Sequence, residues 1–255
     1  MFICMMTIKT KEEIAIMAKA GSILRIVIDH VAAATKIGVP LNNLDALAEK
    51  LIRSFGAEPI FLGYKPHGAK KAYPASICAS INEIIVHGIP TTYKLRAGDV
   101  VSLDFGLRYH NYCSDAAITL ALPPTNAITK KLVETTKKAL LMGIKQVKIG
   151  GHLGDIGEAI QTYVESRGFY IVEGLTGHGI GKELHEDPSV WNIGKHGEGV
   201  ELQEGMVLAI EPMVAVGTSK IVKLTDDSYA TEDGSLSAHF EHTVALTKNG
   251  LQILT

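Results

Sequence analysis

Two aspartates eleven residues apart, Asp104 and Asp115, lie in the alternating stretch AGDVVSLDFGLRYHNYCSDAAITL, residues 97–120. Such alternation reads as two strands. Val101, Leu103 and Phe105 point to one side, Ser102 and Asp104 to the other. On the return strand Ala116, Ile118 and Leu120 oppose Asp115, Ala117 and Thr119. Folding back between Tyr109 and His110 pairs the apolar residues and sets Asp104 directly across from Asp115, ~4.5–5.5 Å apart at Cβ. Like charges facing each other weaken a sheet unless they meet a cation, share a proton or reach solvent. Alone, the pair reads as a solvated hairpin face.

A second acidic pair changes that balance. The segment 97–106 aligns with 203–213 so that Gly98 meets Gly205, Val100 meets Val207 and Asp104 meets Glu211. The closing segments SDAAITLAL (114–122) and FEHTVALTK (240–248) match Asp115 with Glu241. Upstream, KIGVPLNNLDALAEKLIRSFG (36–56) resembles KIGGHLGDIGEAIQTYVESRG (148–168). The chain reads as two similar halves, about 10–122 and 123–250, forming one catalytic domain over 1–255. Each half supplies outer helices and an inner hairpin with one carboxylate per strand. Four like charges buried together require cations, and two divalent metals would neutralise them. A nitrogen ligand is available in GLTGHGIGKELHEDP (174–188), where Gly177, Gly179 and Gly181 frame His178 and His185 follows. HEDP is not the HExxH zinc helix, and no phosphate-binding glycine motif is present. His67, His110 and His196 read as structural or surface groups.

The elements that must hold these groups follow from periodicity. Thr10 and Glu13 form a capping-box pattern opening a helix over 10–35, with Ile14, Met17, Ala18, Gly21, Leu24, Ile28 and Val31 as its buried stripe. A second helix spans about 43–55 and stops at Gly56. Ile77–Ile81 and Ile84–Val86 read as short strands around a turn at Asn82-Glu83, after an exposed loop containing Pro66 and Gly68. Thr125 is expected to cap a helix to about Val147 with lysines outside, and a fourth helix runs over about 154–167 to Gly168. The 255 residues are 46% hydrophobic with net charge −2, so bulk charge makes no case for nucleic acid or membranes. No apolar run reaches membrane-span length, and MFICMMTIKTK lacks the basic and apolar regions of a signal peptide. Cys4, Cys78 and Cys113 form an odd, sparse set, the pattern of reduced thiols in a cytoplasmic protein.

From about residue 10 to 250 the chain resembles the type I methionine aminopeptidases of the creatinase ("pita-bread") fold. NEIIVHGIP, DFG, CSDAAIT, TGHGIGKELHEDP, IEPMV and SLSAHFEHTVAL carry the resemblance. It implies an α+β fold of two pseudo-symmetric halves, antiparallel sheet inside and helices outside. It also implies an enzyme that removes the N-terminal initiator methionine from nascent proteins when the second residue is small, by attack of a water or hydroxide held between two metals. Asp104 would chelate one metal, Asp115 and Glu241 would bridge both, and His178 and Glu211 would bind the other. His87 would contact the scissile amide, His185 would bind the carbonyl and its oxyanion, and Glu211 would relay a proton. The apolar pocket for methionine would use Phe61, Tyr64, Tyr73, Cys78, Leu184 and Tyr229. Asn82 and Ser237 match positions that hold a monovalent cation. Cobalt, manganese, iron and zinc all suit the divalent sites.

Three departures bear on pocket shape: KPHGAK (65–70) looks like an insertion, Leu184 stands where many relatives carry an aromatic, and Tyr229 lies near a usual tryptophan. The spacing from His178 to Glu211 leaves no room for the helical insertion of type II enzymes. Two other readings share the fold: an Xaa-Pro-type aminopeptidase, which usually carries a separate N-terminal domain, and a non-enzymatic binding member, which would have lost metal ligands. The expected partners are nascent polypeptide N-termini near the ribosome, with no nucleic acid or membrane, and the protein is expected to act as a monomer.

Overall fold

The computed structural model describes residues 6–65 and 71–255. Cys4, His67 and residues 66–70 of the expected insertion lie outside the described residues.

Four helices form where the caps and periodicity place them. Helix α1 (Lys11–Ala34) begins at Thr10, whose side chain accepts the Glu13 N–H while the Glu13 carboxylate accepts the Thr10 N–H. Helix α2 (Leu41–Ser54) ends before Gly56, which takes φ 70°. Helix α3 (Ala127–Ile144) is capped by Asn126 and not Thr125, since the Asn126 side chain reaches the Thr129 N–H. Helix α4 (Leu153–Ser166) opens with the Asp155 side chain accepting from the His152 N–H. Among the described residues no helix is long and apolar enough to cross a membrane.

The helices pack against antiparallel sheet in two similar layers. Val27, Val31, Leu44 and Ile52 of α1 and α2 bury against Ile77, Val101, Leu103, Phe105 and Leu107. Leu140, Ile144, Ile156 and Ile160 of α3 and α4 bury against Leu208, Ile210, Val244 and Leu246. Ile118 packs against both clusters. The apolar faces thus turn toward the helices, and the polar faces of the sheets turn inward.

The hairpin Val100–Tyr109 and Tyr112–Ala121 has the expected faces but a shifted register. Asp104 pairs with Ala117, and Asp115 pairs with Gly106. The chain reverses between His110 and Asn111, at φ 48° and 68°, and not between Tyr109 and His110. A two-residue hairpin turn of this twist needs left-handed backbone at both central positions, which Asn and His tolerate better than most residues. Because the slip is two residues, every side chain keeps its face. The two aspartates become diagonal neighbours instead of direct partners.

The second half departs more from expectation. Val207–Ile210 pairs with His242–Thr247, but residues 211–241 intervene, so the two strands are not a hairpin. The strand Gly177–Gly179 adds to the other edge of Val207–Ile210, and Glu186–Val190 lies beyond it. The two layers join where Ala117 and Glu241 exchange backbone hydrogen bonds of 3.0 and 3.4 Å. The Thr243 hydroxyl donates to the Asp115 carbonyl at 2.8 Å, and the Thr119 hydroxyl donates to the His239 carbonyl at 2.6 Å.

The C-terminal segment closes on α1 with no spare room. A Cβ at Gly21 would lie 2.1 Å from the Leu254 carbonyl oxygen. Gly21→Ala is therefore expected to destabilise the protein by about 1–3 kcal/mol. An unchanged urea midpoint would show that this segment can move off the helix freely.

Candidate metal centre

The join of the two layers gathers the acidic residues. Asp104 and Asp115 lie on the hairpin's inner face. Glu241 is fixed to Ala117 by the paired backbone bonds, which places it on the same face. Glu211 and Glu241 stand one step beyond the last paired residues, Ile210 and His242. His178 pairs with Ala209, two residues before Glu211. Each of five neighbouring segments therefore contributes one side chain, in the spatial order Asp104, Asp115, Glu241, Glu211, His178. Alternation and register put all five on one face.

Their atoms converge. One ligand atom each of Asp115, His178 and Glu241 lies within 4.8 Å of the others. His178 Nε2 is 3.8 Å from Asp115 Oδ2 and 3.6 Å from Glu211 Oε1. The ring is oriented by His178 Nδ1, 2.8 Å from the Gly179 carbonyl. A carbonyl only accepts, so Nδ1 carries the proton and Nε2 turns its lone pair toward the carboxylates. Asp104 Oδ1, Asp115 Oδ1 and Glu241 Oε1 are buried with no hydrogen-bond partner among the described residues. A lone pair facing carboxylates, beside three orphaned acidic oxygens, is the donor set a divalent cation takes, and the residues fit one.

The electrostatics agree. Burial, with the charge of Glu211 adding to it and His239 opposing, pushes the Asp104 carboxyl up to about 6. Burial and the neighbouring carboxylates hold Asp115 and Glu241 well above the usual range. Burial also raises Glu211, but contact with His239, with the His178 and His185 imidazoles nearby, outweighs it and leaves the group below its usual value. His239 Nε2 lies 3.3 Å from Glu211 Oε2, and the residue is 1% exposed. Sequence reading missed His239. The available signal was its place two residues before Glu241, hence on the same face.

His87 and His185 border the acidic group and keep exposed surface. His87 takes φ 62°, a costly conformation outside glycine that marks a constrained turn. The turn is pressed against Ile77–Ile81, because a Cβ at Gly88 would fall 2.6 Å from the Ala79 oxygen. Desolvation keeps the His87 imidazole below its ordinary pKa despite Glu211. Desolvation and the nearby His178 push His185 down to about 3. His185 Nδ1 is 2.6 Å from the Tyr64 hydroxyl, and its ring centroid is 4.5 Å from that of His178.

Five of the six pocket candidates share one apolar cluster: Phe61, Cys78 and Leu184 are buried in it, and Tyr64 and Tyr73 pack against it. Cys78 pairs directly with Asp104 across the sheet, so the cluster begins beside the carboxylates. The Tyr73 hydroxyl donates to the Gly88 carbonyl at 2.8 Å, tying this wall to the His87 turn. Tyr229 belongs to a different cluster, with Ile85 and Val86, and meets His87 ring to ring at 5.8 Å. Asn82 and Ser237 adjoin, the Ser237 N–H donating to the Asn82 carbonyl at 2.8 Å. Cys78 and Cys113 are free, buried thiols. His110 sits on the hairpin turn, and His196 is an exposed partner of Asp155.

Comparison with known proteins agrees with this geometry. The model of metallopeptidase family M24 matches residues 15–248. Methionine aminopeptidase of Clostridium acetobutylicum is 45% identical over 253 residues, covering 98% of this chain and 99% of the relative. Methionine aminopeptidase 1 of Bacillus subtilis is 41% identical over 100% of this chain and 99% of its own length. The crystal structure of methionine aminopeptidase from Rickettsia prowazekii superposes with TM-score 0.94 at 37% identity, covering 98% of this chain and 100% of that one. Prolidase from Pyrococcus furiosus, 24% identical with TM-score 0.75 over 65% of its own chain, shares the fold alone.

The carboxyl shifts make a prediction. A carboxyl with a raised folded-state pKa destabilises as pH rises from its unfolded value near ~4 through its folded value. Metal-free protein should therefore lose stability above about pH 4, through the Asp104 value of about 6 and beyond. Manganese should raise the melting temperature more at pH 7.5 than at pH 5, where protons compete for the same oxygens. An equal or larger rise at pH 5 would contradict the assignment of these oxygens to a cation.

With the family match spanning both acidic pairs and relatives aligned almost end to end, the chain belongs to metallopeptidase family M24 and, within it, to the methionine aminopeptidases.

Proposed function

We propose that the protein is a metalloaminopeptidase that removes the N-terminal initiator methionine from nascent polypeptides when the second residue is small. The observation that carries this reading is the single row running from Cys78 in the apolar cluster through Asp104 and Ala117 to Glu241. It sets a pocket for an apolar side chain beside the groups that hold the cations.

Two divalent ions, cobalt, manganese, iron or zinc, would be held by Asp104, Asp115, His178, Glu211 and Glu241. Bound there, such ions would supply Lewis-acid chemistry, activating water and polarising the scissile carbonyl. The chain's own groups do the rest. Glu211, kept ionised by its imidazole neighbours, can accept a proton at Oε2 and pass it toward the leaving amine. His185 stays neutral near pH 7. With Nδ1 accepting from the Tyr64 hydroxyl, it carries its proton at Nε2 and donates to the developing oxyanion. His87, neutral and exposed on its constrained turn, contacts the scissile amide. Phe61, Tyr64, Tyr73, Cys78 and Leu184 clasp the methionine side chain, whose flexible thioether suits an irregular aromatic-edged slot. Tyr229 acts on the position of His87 more than on that slot. A monovalent cation at Asn82 and Ser237 would be structural. We place the enzyme in the cytoplasm, a monomer of one catalytic domain working on nascent chains beside the ribosome. Xaa-Pro cleavage has weaker support, since the prolidase likeness is one of fold.

Two outcomes test the reading. In manganese-loaded enzyme, a Met-Xaa-Met series should show rates falling steeply from Gly, Ala and Ser through Val to Leu and Lys. Norleucine in place of the first residue should be cleaved appreciably, because one methylene in such a pocket separates substrates by only ~1–3 kcal/mol. Equal kcat/KM for Ala and Lys would end this reading. His185→Ala should lower kcat by about 10²-fold while metal content by elemental analysis stays at the parent level; a metal-depleted variant would make His185 a ligand.

A further inference from the structure

Glu186 follows His185 directly, yet its side chain belongs to a separate buried cluster. Its carboxylate meets Lys9 Nζ at 2.6 Å, and the two side chains are only 7% and 4% exposed. The Thr7 hydroxyl donates to the same oxygen, and the Glu183 N–H donates to the other at 3.2 Å. Lys9 is itself anchored, its backbone N–H donating to the Gly205 carbonyl at 2.8 Å and its ammonium to the Thr7 carbonyl at 3.1 Å. The loop 180–185 wraps this pair. A Cβ at Gly181 would lie 2.5 Å from Lys9 Cε and 2.6 Å from Glu186 Oε1, so only glycine lets the backbone pass. The Cys113 N–H holds the Gly181 carbonyl at 2.7 Å, and Glu186 pairs with Gly179, next to His178.

Leu184 and His185 are the loop's contributions to the proposed substrate site. The His185 ring, partly open to solvent, touches Tyr64 and His178. Its backbone position therefore depends on what grips the residues around it. The strongest grip is the adjacent Glu186 carboxylate, which takes three donors: the Lys9 and Thr7 side chains of the N-terminal segment and the Glu183 N–H of the loop. A buried ion pair adds little stability over an apolar pair of similar volume, because lost hydration offsets the attraction. What it adds is direction: charged hydrogen bonds accept a narrow geometry.

We propose that Lys9 and Glu186 are a positioning pair through which the segment before α1 sets the place of His185 relative to His178. The inference deepens the proposed function and rests on His185 acting in the transition state. The pair touches no substrate. It fixes the loop so that the imidazole reaches the carbonyl without rearranging.

The test uses full-length, manganese-loaded enzyme and a Met-Ala-Ser peptide. Lys9→Met combined with Glu186→Leu removes both charges together and should fold, leaving no unpaired ion. Its metal content and KM should match the parent while kcat falls about tenfold, the scale of a sub-ångström displacement at a reacting centre. Adding His185→Ala should cause no further loss beyond that of His185→Ala alone, because the pair acts through that residue. If the double variant does not fold, Glu186→Gln preserves shape and should show the same direction and the same coupling. A merely structural pair would lower the melting temperature and leave kcat per folded molecule intact. That result, or losses that multiply with His185→Ala, would overturn the positioning role. An unchanged kcat in His185→Ala alone would instead remove the His185 reading, and this proposal with it.

Discussion

Four carboxylates brought to one face of a buried join set the terms for the rest of this structure. Removing an ion from water costs several kcal/mol even after relaxation, and like charges add to that cost. Protonation, a cation or disruption are the available answers. The fold blocks disruption: Glu241 is held by its backbone bonds to Ala117, and the Asp115 backbone by the Thr243 hydroxyl, and these bonds also join the two layers. The same bonds that create the electrostatic problem therefore keep the sheets together. Protonation relieves it to higher pH than in free carboxyls, because burial and mutual repulsion hold Asp115 and Glu241 well above the usual range. A divalent cation answers it without protons, and the three acidic oxygens and the His178 ring nitrogen facing them fit one.

The molecule separates groups that must hold still from groups that must meet a changing substrate. The candidate ligands come from neighbouring strands or from their immediate ends, where register sets position. The two solvent-reaching imidazoles come from segments that leave the strands. His87 follows Ile84–Val86 on a left-handed turn, and His185 ends a loop just before Glu186–Val190. Reacting groups carried on connections over a rigid scaffold are a general solution, because a connection can be aimed independently of the ladder. Here each connection is restrained: Tyr73 hydrogen-bonds the Gly88 carbonyl behind His87, and the Lys9–Glu186 pair lies behind His185.

Burial acts in opposite directions on the two kinds of group. It raises the carboxyls toward neutrality and lowers the imidazoles, also toward neutrality. Glu211 is the exception, because His239 and two further imidazoles surround it. One carboxylate is thus kept ionised among neighbours driven toward protonation. Such a spread of proton affinities within a few ångströms lets one group accept a proton while another donates a hydrogen bond.

The residue pattern by itself determined the helices, the faces of the strands and the chemical types at the centre. Caps such as Thr10 with Glu13 are local, and a period of two assigns Asp104, Asp115, Glu211 and Glu241 to polar faces without knowledge of the partner strand. The segments around His87, His178 and His185 were equally legible as family motifs. Register was not legible, because two registers that differ by two residues bury the same side chains; left-handed His110 and Asn111 chose between them. Nor could pattern show that Val207–Ile210 and His242–Thr247 pair across a long excursion, since closure of distant segments depends on packing of the whole second layer. His239 became part of the centre only through that closure, and Tyr229 was drawn to Ile85 and Val86 because its strand pairs with Ile84–Val86. The Lys9–Glu186 pair spans 177 positions of the chain, and a contact between such distant residues exists only once the tertiary structure has brought them together.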